Sequence, residues 1–126
     1  MYHTNESAEN YLETILLLSK TRPVVRSVDI AEELGFKKSS VSVAMKNLRQ
    51  KEQITVTKEG FIYLTDSGKE IAEMIYEWHE FLTSWLTALG VDSKIAAEDA
   101  CKMEHVISKQ SFEAIKQHVQ KNLALK

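Results

Sequence analysis

Between Ser27 and Lys51 the sequence holds two short amphipathic segments separated by Gly35, an arrangement that few folds accommodate. Ser27 carries the hydroxyl of a helix N-cap for Val28 to Leu34, and Gly35 stands where a helix ends in a left-handed residue. A second helix is predicted from about Ser39 to Lys51, with Val41, Met45 and Leu48 on its buried stripe. Ile30, Ala31, Leu34, Phe36 and Val41 fall at the positions where the two helices pack. The pattern is a helix-turn-helix, although an ordinary helical hairpin with a serine-rich cap has the same periodicity.

The segment after Lys51 favours the helix-turn-helix. Gln53 to Val56 and Phe61 to Leu64 are β-branched and aromatic runs separated by Thr57-Lys58-Glu59-Gly60, which predicts a hairpin. A helix-turn-helix leading directly into a hairpin is a winged helix, with Lys58 at the wing tip in reach of a DNA backbone. On the second helix the side chains left outside the buried stripe are Ser39, Ser40, Ser42, Val43, Lys46 and Asn47, preceded by Lys37 and Lys38. Small polar groups near the start of a recognition helix permit close approach to base edges, and lysines position phosphates. The net charge of −2 conceals a segment, residues 20–51, with eight Lys/Arg against three acids. That local +5 inside a remainder of −7 has the form of an electrostatic footprint for nucleic acid, or of a solvated face.

Upstream, Ala8, Tyr11, Leu12, Ile15, Leu16 and Leu18 recur at helical spacing from about Ser7 to Ser19, and Pro23 marks the break. Asn10 and Glu13, three residues apart, share a side of that helix and face either solvent, a second helix or a ligand. Downstream, Asp66 to Leu89 is the longest periodic segment, and its stripe of Ile71, Met74, Ile75, Trp78, Phe81, Leu82, Trp85, Leu86 and Leu89 exceeds what one small domain needs. It is expected to connect two domains and to supply part of a dimer interface, where aromatic residues and Met are enriched. His79 interrupts the stripe, either as a core histidine or as a ligand. Asp92 or Ser93 then caps another helix, and a last one is predicted over about Lys109 to Leu123.

The helix after Asp92 contains the only cysteine. Cys101, Glu104 and His105 stand at i, i+3 and i+4, on one helical face. A thiolate, a carboxylate and an imidazole suit a divalent transition metal such as Fe, Co or Zn better than Mg or Ca. The same spacing also fits a buried cysteine beside a solvated Glu-His pair.

Composition sets the frame for these motifs. A chain of 126 residues with 44% hydrophobic content can build one ordinary domain or two small ones. Four glycines and one proline leave no flexible linker, so we expect residues 1–65 and 66–126 to form two domains joined by ordered structure. A lone cysteine makes no intrachain disulfide, and neither a signal region nor a membrane span is evident, so a cytoplasmic protein is expected. No His-Glu-x-x-His, nucleophile constellation or glycine-rich phosphate loop points to an enzyme or a small-molecule substrate.

Asn10-Tyr-Leu-Glu13, Ser27-Val-Asp-Ile-Ala-Glu-Glu-Leu34, Ser39-Ser-Val-Ser42, Leu64-Thr-Asp-Ser-Gly-Lys69, His79-Glu-Phe-Leu82 and Asp99-Ala-Cys-Lys-Met-Glu-His-Val-Ile-Ser108 together resemble the diphtheria-toxin-repressor family of metal-dependent bacterial regulators. The resemblance spans nearly the whole chain. It implies a mainly α fold, with a winged helix-turn-helix DNA-binding domain followed by an all-helical metal-binding dimerisation domain. It also implies binding of double-stranded operator DNA as a metal-loaded homodimer. Cys-x-x-Glu-His is similar to the metal site of the iron-type branch, whereas the manganese-type branch has Glu in place of Cys. Carried over, Cys101, Glu104 and His105 match family ligands, as do Glu13 and His79 in the manganese-type form. Asn10 stands where other members have Met or Asp, while Thr83 and Ala97 replace side-chain ligands of the iron-type second site.

The resemblance therefore implies a regulator, expected to be a repressor of metal-uptake genes, with Fe(II) favoured, Mn(II) next, and Co(II) or Zn(II) after them. Glu13 belongs to the helix packed on the DNA-reading half and the remaining ligands to the dimerising half, so a metal bound by both would fix the spacing of two recognition helices. The alternative is a metal-independent or redox-responsive winged-helix regulator.

Overall fold

The computed structural model describes the backbone of residues 2–124 and the side chains of residues 8–122. Among these residues, six helices and one two-stranded antiparallel sheet run in the order α1 (Tyr2–Thr21), α2 (Ser27–Leu34), α3 (Lys38–Gln50), β1 (Ile54–Val56), β2 (Ile62–Leu64), α4 (Asp66–Ala88), α5 (Ser93–Val106) and α6 (Lys109–Ala124). The chain divides into two compact units, residues 3–74 and 75–126, with the division falling inside α4.

In the first unit α1 contributes Tyr11, Leu12, Ile15, Leu16 and Leu18 to the core. Glu13 and Thr14 are buried with them. Thr14 accounts for its hydroxyl by donating to the Asn10 carbonyl at 2.8 Å. Burial in this core also pushes the Tyr11 phenol up from its ordinary range, because the phenolate would lose its hydration.

The start of α2 corrects the cap expected at Ser27. Ser27 is already helical, and the N-cap is Arg26. Its backbone N–H donates to the Asp29 carboxylate at 2.9 Å, and Arg22 grips the other Asp29 oxygen, also at 2.9 Å. The carboxylate at the third helical position thus satisfies the N–H of the N-cap residue, the reciprocal half of a capping box, at the positive end of the helix dipole. Gly35 closes α2 as expected, with φ +69°.

Between α2 and α3, Ile30, Ala31 and Val41 are buried and continue into Met45 and Leu48 of α3. Phe36 departs from the expected packing. It is 42% exposed and meets Tyr11 edge-on, with ring centroids 5.9 Å apart and planes at 75°.

The wing pairs Ile54 with Leu64, Thr55 with Tyr63 and Val56 with Ile62. Alternation turns Ile54 and Ile62 inward and leaves Thr55 and Tyr63 outside. Thr57 organises the tip: its hydroxyl accepts from Phe61 N–H at 3.0 Å, and its carbonyl accepts from Gly60 N–H at 2.9 Å. Val25 adds a third rung by accepting from Ile62 N–H at 2.8 Å, and the neighbouring Arg26 guanidinium lies over the Phe61 ring at 4.9 Å. Thr65 joins wing to helix. Its hydroxyl donates to the Glu52 carbonyl at 2.7 Å and accepts from Gly68 N–H at 3.2 Å, capping α4.

In the second unit an aromatic cluster holds α6 against α4. Phe112 is fully buried, stacks on Trp78 at 4.6 Å and meets Phe81 edge-on at 5.4 Å. Burying one such side chain is worth about 2–3 kcal/mol, with about 1 kcal/mol more from the ring geometry. Asp92 caps α5, its carboxylate accepting from Lys94 and Ile95 N–H. Ser108 caps α6 through Ser111 N–H at 3.0 Å, a start signal that the apolar periodicity does not mark. Among the described residues, no helix is long and apolar enough to cross a membrane.

Candidate metal centre and nucleic-acid interface

On α5 the buried positions are Ala96, Ala100 and Glu104, four residues apart along one face. The third is thus a carboxylate in line with two alanines at the packed surface of the helix. Glu104 is 1% exposed. Its Oε2 lies 3.4 Å from His79 Nδ1 of α4, and its Oε1 lies 3.6 Å from His105 Nε2, whose side chain is also buried. Both separations exceed the usual N–H···O range, and among the described residues neither Glu104 oxygen accepts a hydrogen bond.

Cys101 completes the group. One ligand atom each from Cys101, Glu104 and His105 can be chosen so that all lie within 4.8 Å of one another. The burial pattern inverts the bland sequence alternative, since the cysteine is exposed while Glu104 and the His105 side chain are enclosed. A buried carboxylate with no hydrogen-bond donor is costly on its own, by about 1–3 kcal/mol or more for a charged group. A divalent cation removes that cost, and the thiolate, carboxylate and imidazole donors suit a transition metal. The residues present therefore fit such an ion.

Thr83, one helical turn beyond His79 on α4, is a further polar group in this unit whose state the sequence does not signal. Its Oγ1 is buried and, among the described residues, without a hydrogen-bond partner. Thr14 and Thr87 instead donate to the carbonyl four residues earlier, each at 2.8 Å. Asn10 and Glu13 lie on α1, in the first unit, Asn10 half-buried and Glu13 buried. The structure thus brings Cys101, Glu104 and His105 together on α5 and sets His79 of α4 beside Glu104.

The other candidate residues lie in the first unit and are exposed. Lys37, Lys38, Ser39, Ser40, Ser42, Val43 and Lys46 are all exposed along α3 and the residue before it, and Lys58 is exposed at the wing tip. The opposite face of α3 holds the buried Val41, Met45 and Leu48. The order of a helix-turn-helix and its wing in one unit, with a metal-competent cluster in a second helical unit, defines the class of a metal-responsive DNA-binding regulator.

Comparison with known proteins gives the family. Residues 3–60 match the family model described as the iron dependent repressor, N-terminal DNA binding domain. Residues 65–122 match the iron dependent repressor, metal binding and dimerisation domain. The chain is 34% identical over 120 residues to an uncharacterised HTH-type transcriptional regulator of Methanocaldococcus jannaschii, covering 93% of this chain and 95% of that protein. It is 33% identical over 117 residues to the HTH-type transcriptional regulator MntR of Bacillus subtilis, covering 93% of this chain and 82% of the relative. Among solved structures, a manganese-dependent transcriptional repressor in complex with manganese superposes with a TM-score of 0.81 at 24% identity, over 90% of this chain and 52% of that one. The chain belongs to the iron-dependent repressor family, that is, the diphtheria-toxin-repressor family of metal-dependent transcriptional regulators.

Proposed function

We propose that this chain is a repressor of metal-uptake genes that binds operator DNA as a homodimer when loaded with a divalent transition metal. The observation that carries the reading is Glu104, a buried carboxylate without a hydrogen-bond donor between two imidazoles. Cys101, Glu104, His105 and His79 are its proposed ligands, with Glu13 and Asn10 added on the strength of the family resemblance. The metal supplies positive charge and fixed coordination geometry, and this chain's side chains supply the soft and hard donors. Thiolate from Cys101 supports Fe(II) as the favoured ion, with Mn(II) next and Co(II) or Zn(II) after them. The manganese in the names of its relatives keeps Mn(II) close.

Residues 1–65 are proposed as the DNA-reading domain and 66–126 as the metal-binding and dimerising one. Lys37, Lys38, Lys46 and Lys58 are assigned to phosphates, and Ser39, Ser40, Ser42 and Val43 to base edges. Exposed apolar side chains in the helical unit, Leu89, Ile95 and Val106, support its pairing with a second copy. By linkage, metal and operator then raise each other's affinity, typically by about 1–3 kcal/mol. The chain is read as a regulator without enzymatic activity, acting in the cytoplasm.

The test is a titration of demetallated protein with Fe(II) under anaerobic conditions, and separately with Mn(II), Co(II) and Zn(II), read by retention of random-sequence duplex DNA. Metal-stimulated retention reversed by chelator supports the reading. Retention that ignores chelator and responds to peroxide favours the redox-responsive alternative, for which the exposed thiol of Cys101 is the sensor.

A further inference from the structure

On a helix of 3.6 residues per turn, the buried Val41, Met45 and Leu48 of α3 set one face, and Ser39, Val43, Lys46 and Gln50 succeed one another along the opposite one. Val43 is the apolar residue on that outward face. It is 60% exposed, more than Leu17, Val28 or Phe36 in the same unit. A β-branched residue loses rotamer freedom in a helix and here recovers little packing among the described residues. Its exposed neighbours include no acid: Ser39, Ser40 and Ser42 around it, Lys46 and Asn47 one turn on, and Lys37 and Lys38 before them.

An apolar group centred on a basic, hydrophilic helix face matches one partner chemistry. Phosphates meet the lysines, and in the major groove the 5-methyl of thymine is the apolar group that base edges offer to an aliphatic side chain. We propose that Val43 is a specificity-determining residue that reads thymine through its 5-methyl group, so each operator half-site carries a thymine opposite the middle of α3. The serines let the helix backbone approach closely enough for an isopropyl group to reach that methyl. This inference rests on the DNA-binding reading proposed for α3 and names the base and atom that the reading leaves open.

The full-length protein, loaded with Mn(II) or anaerobically with Fe(II), is used to select sites from random duplex DNA. The selected duplex is then resynthesised with uracil in place of each thymine in turn, which deletes only the methyl. At one symmetric pair of positions uracil weakens binding about fourfold per half-site, the worth of one buried methyl group. Val43→Ala weakens binding to the thymine duplex by a similar factor and loses sensitivity to uracil at that position alone, a coupling that a double-mutant cycle isolates. Uracil tolerated at every thymine, or a Val43→Ala protein as methyl-sensitive as the parent, overturns the assignment while leaving DNA binding intact. Failure of the wild-type protein to enrich any duplex overturns the DNA-binding reading itself, and this assignment with it.

Discussion

His79 Nδ1 lies 3.4 Å from Glu104 Oε2, close enough for attraction yet outside good hydrogen-bond geometry, and among the described residues the carboxylate has no hydrogen-bond donor at either oxygen. The contact is long for a hydrogen bond, and a carboxylate beside a neutral imidazole at this spacing suits two ligands of one cation. Glu104→Gln is therefore expected to weaken binding of Mn(II) and Fe(II) by at least about tenfold. The metal-free protein should keep its melting temperature or gain, because a buried charge without a donor is removed. Isothermal titration with metal and thermal unfolding in chelator measure the two effects, and loss of stability in chelator would show the carboxylate to be structural.

Thr83→Val tests the second buried group of this unit. Replacing an unpartnered hydroxyl by a methyl of the same shape removes a desolvation cost, so unfolding in chelator should be unchanged or harder by up to about 1 kcal/mol. The same change at Thr14, whose hydroxyl is bonded to Asn10, should destabilise by about 1 kcal/mol. Denaturant midpoints of the two variants should thus move apart.

The order of elements is legible from periodicity and turn residues, because Gly35, Pro23 and the Gly60 turn each impose a backbone geometry that few residues replace. The caps are less so. Ser27 is the obvious N-cap by residue type, yet Asp29 holds the Arg26 N–H from within the helix, an outcome decided by the tertiary position of Arg22. Phe36 reads as core by type but sits 42% exposed after the turn at Gly35, edge-on to Tyr11. At the metal site, spacing places Cys101, Glu104 and His105 on one face but does not say which is enclosed. Alanines at 96 and 100 carry too weak an apolar signal to mark the buried line that Glu104 continues. The hydroxyl of Thr83 has no sequence signal, since its burial depends on the neighbours of α4.

Lys116 Nζ donates to Glu77 Oε1 at 2.5 Å, linking α6 to α4. That hydrogen bond raises the Lys116 pKa above its ordinary 10.5, against a smaller opposing effect of burial. A group whose pKa is higher in the folded state contributes its full stability below the ordinary value and loses it as pH rises through the raised one. The stability difference between wild type and Lys116→Met should be constant from about pH 7 to 9 and shrink as pH rises past the ordinary lysine value. Half of the pair is open to water, so the difference should stay below about 1 kcal/mol. A gap that persists at high pH would assign it to packing of the lysine stem.

Lys46→Ala addresses the nucleic-acid face. If Lys46 neutralises one phosphate, affinity should fall about equally for every duplex, and the slope of log affinity against log salt should become shallower by about 0.9. Anisotropy titrations at several salt concentrations measure both. A loss confined to one sequence would move Lys46 from the phosphates to a base edge.

Gly68 is where the wing meets α4, and a Cβ built on it would stand 2.0 Å from the carbonyl oxygen of Gln53. That oxygen is backbone and already accepts from Thr65 N–H at 3.1 Å, so it cannot swing aside without breaking the cap of α4. Gly68→Ala should cost about 1–3 kcal/mol or more, and Gly68→Asn at least as much. Gly35 makes the contrast: its φ is +69° and nothing stands within 4 Å of its added Cβ, so only the left-handed backbone is at stake. Asn tolerates that conformation better than Ala, so Gly35→Asn should recover much of the stability lost in Gly35→Ala. At Gly68 the same exchange should recover none, because the obstacle there is a collision with backbone and not a dihedral preference. Chemical denaturation of the four variants separates the two causes, and rescue by Asn at position 68 would refute the steric account.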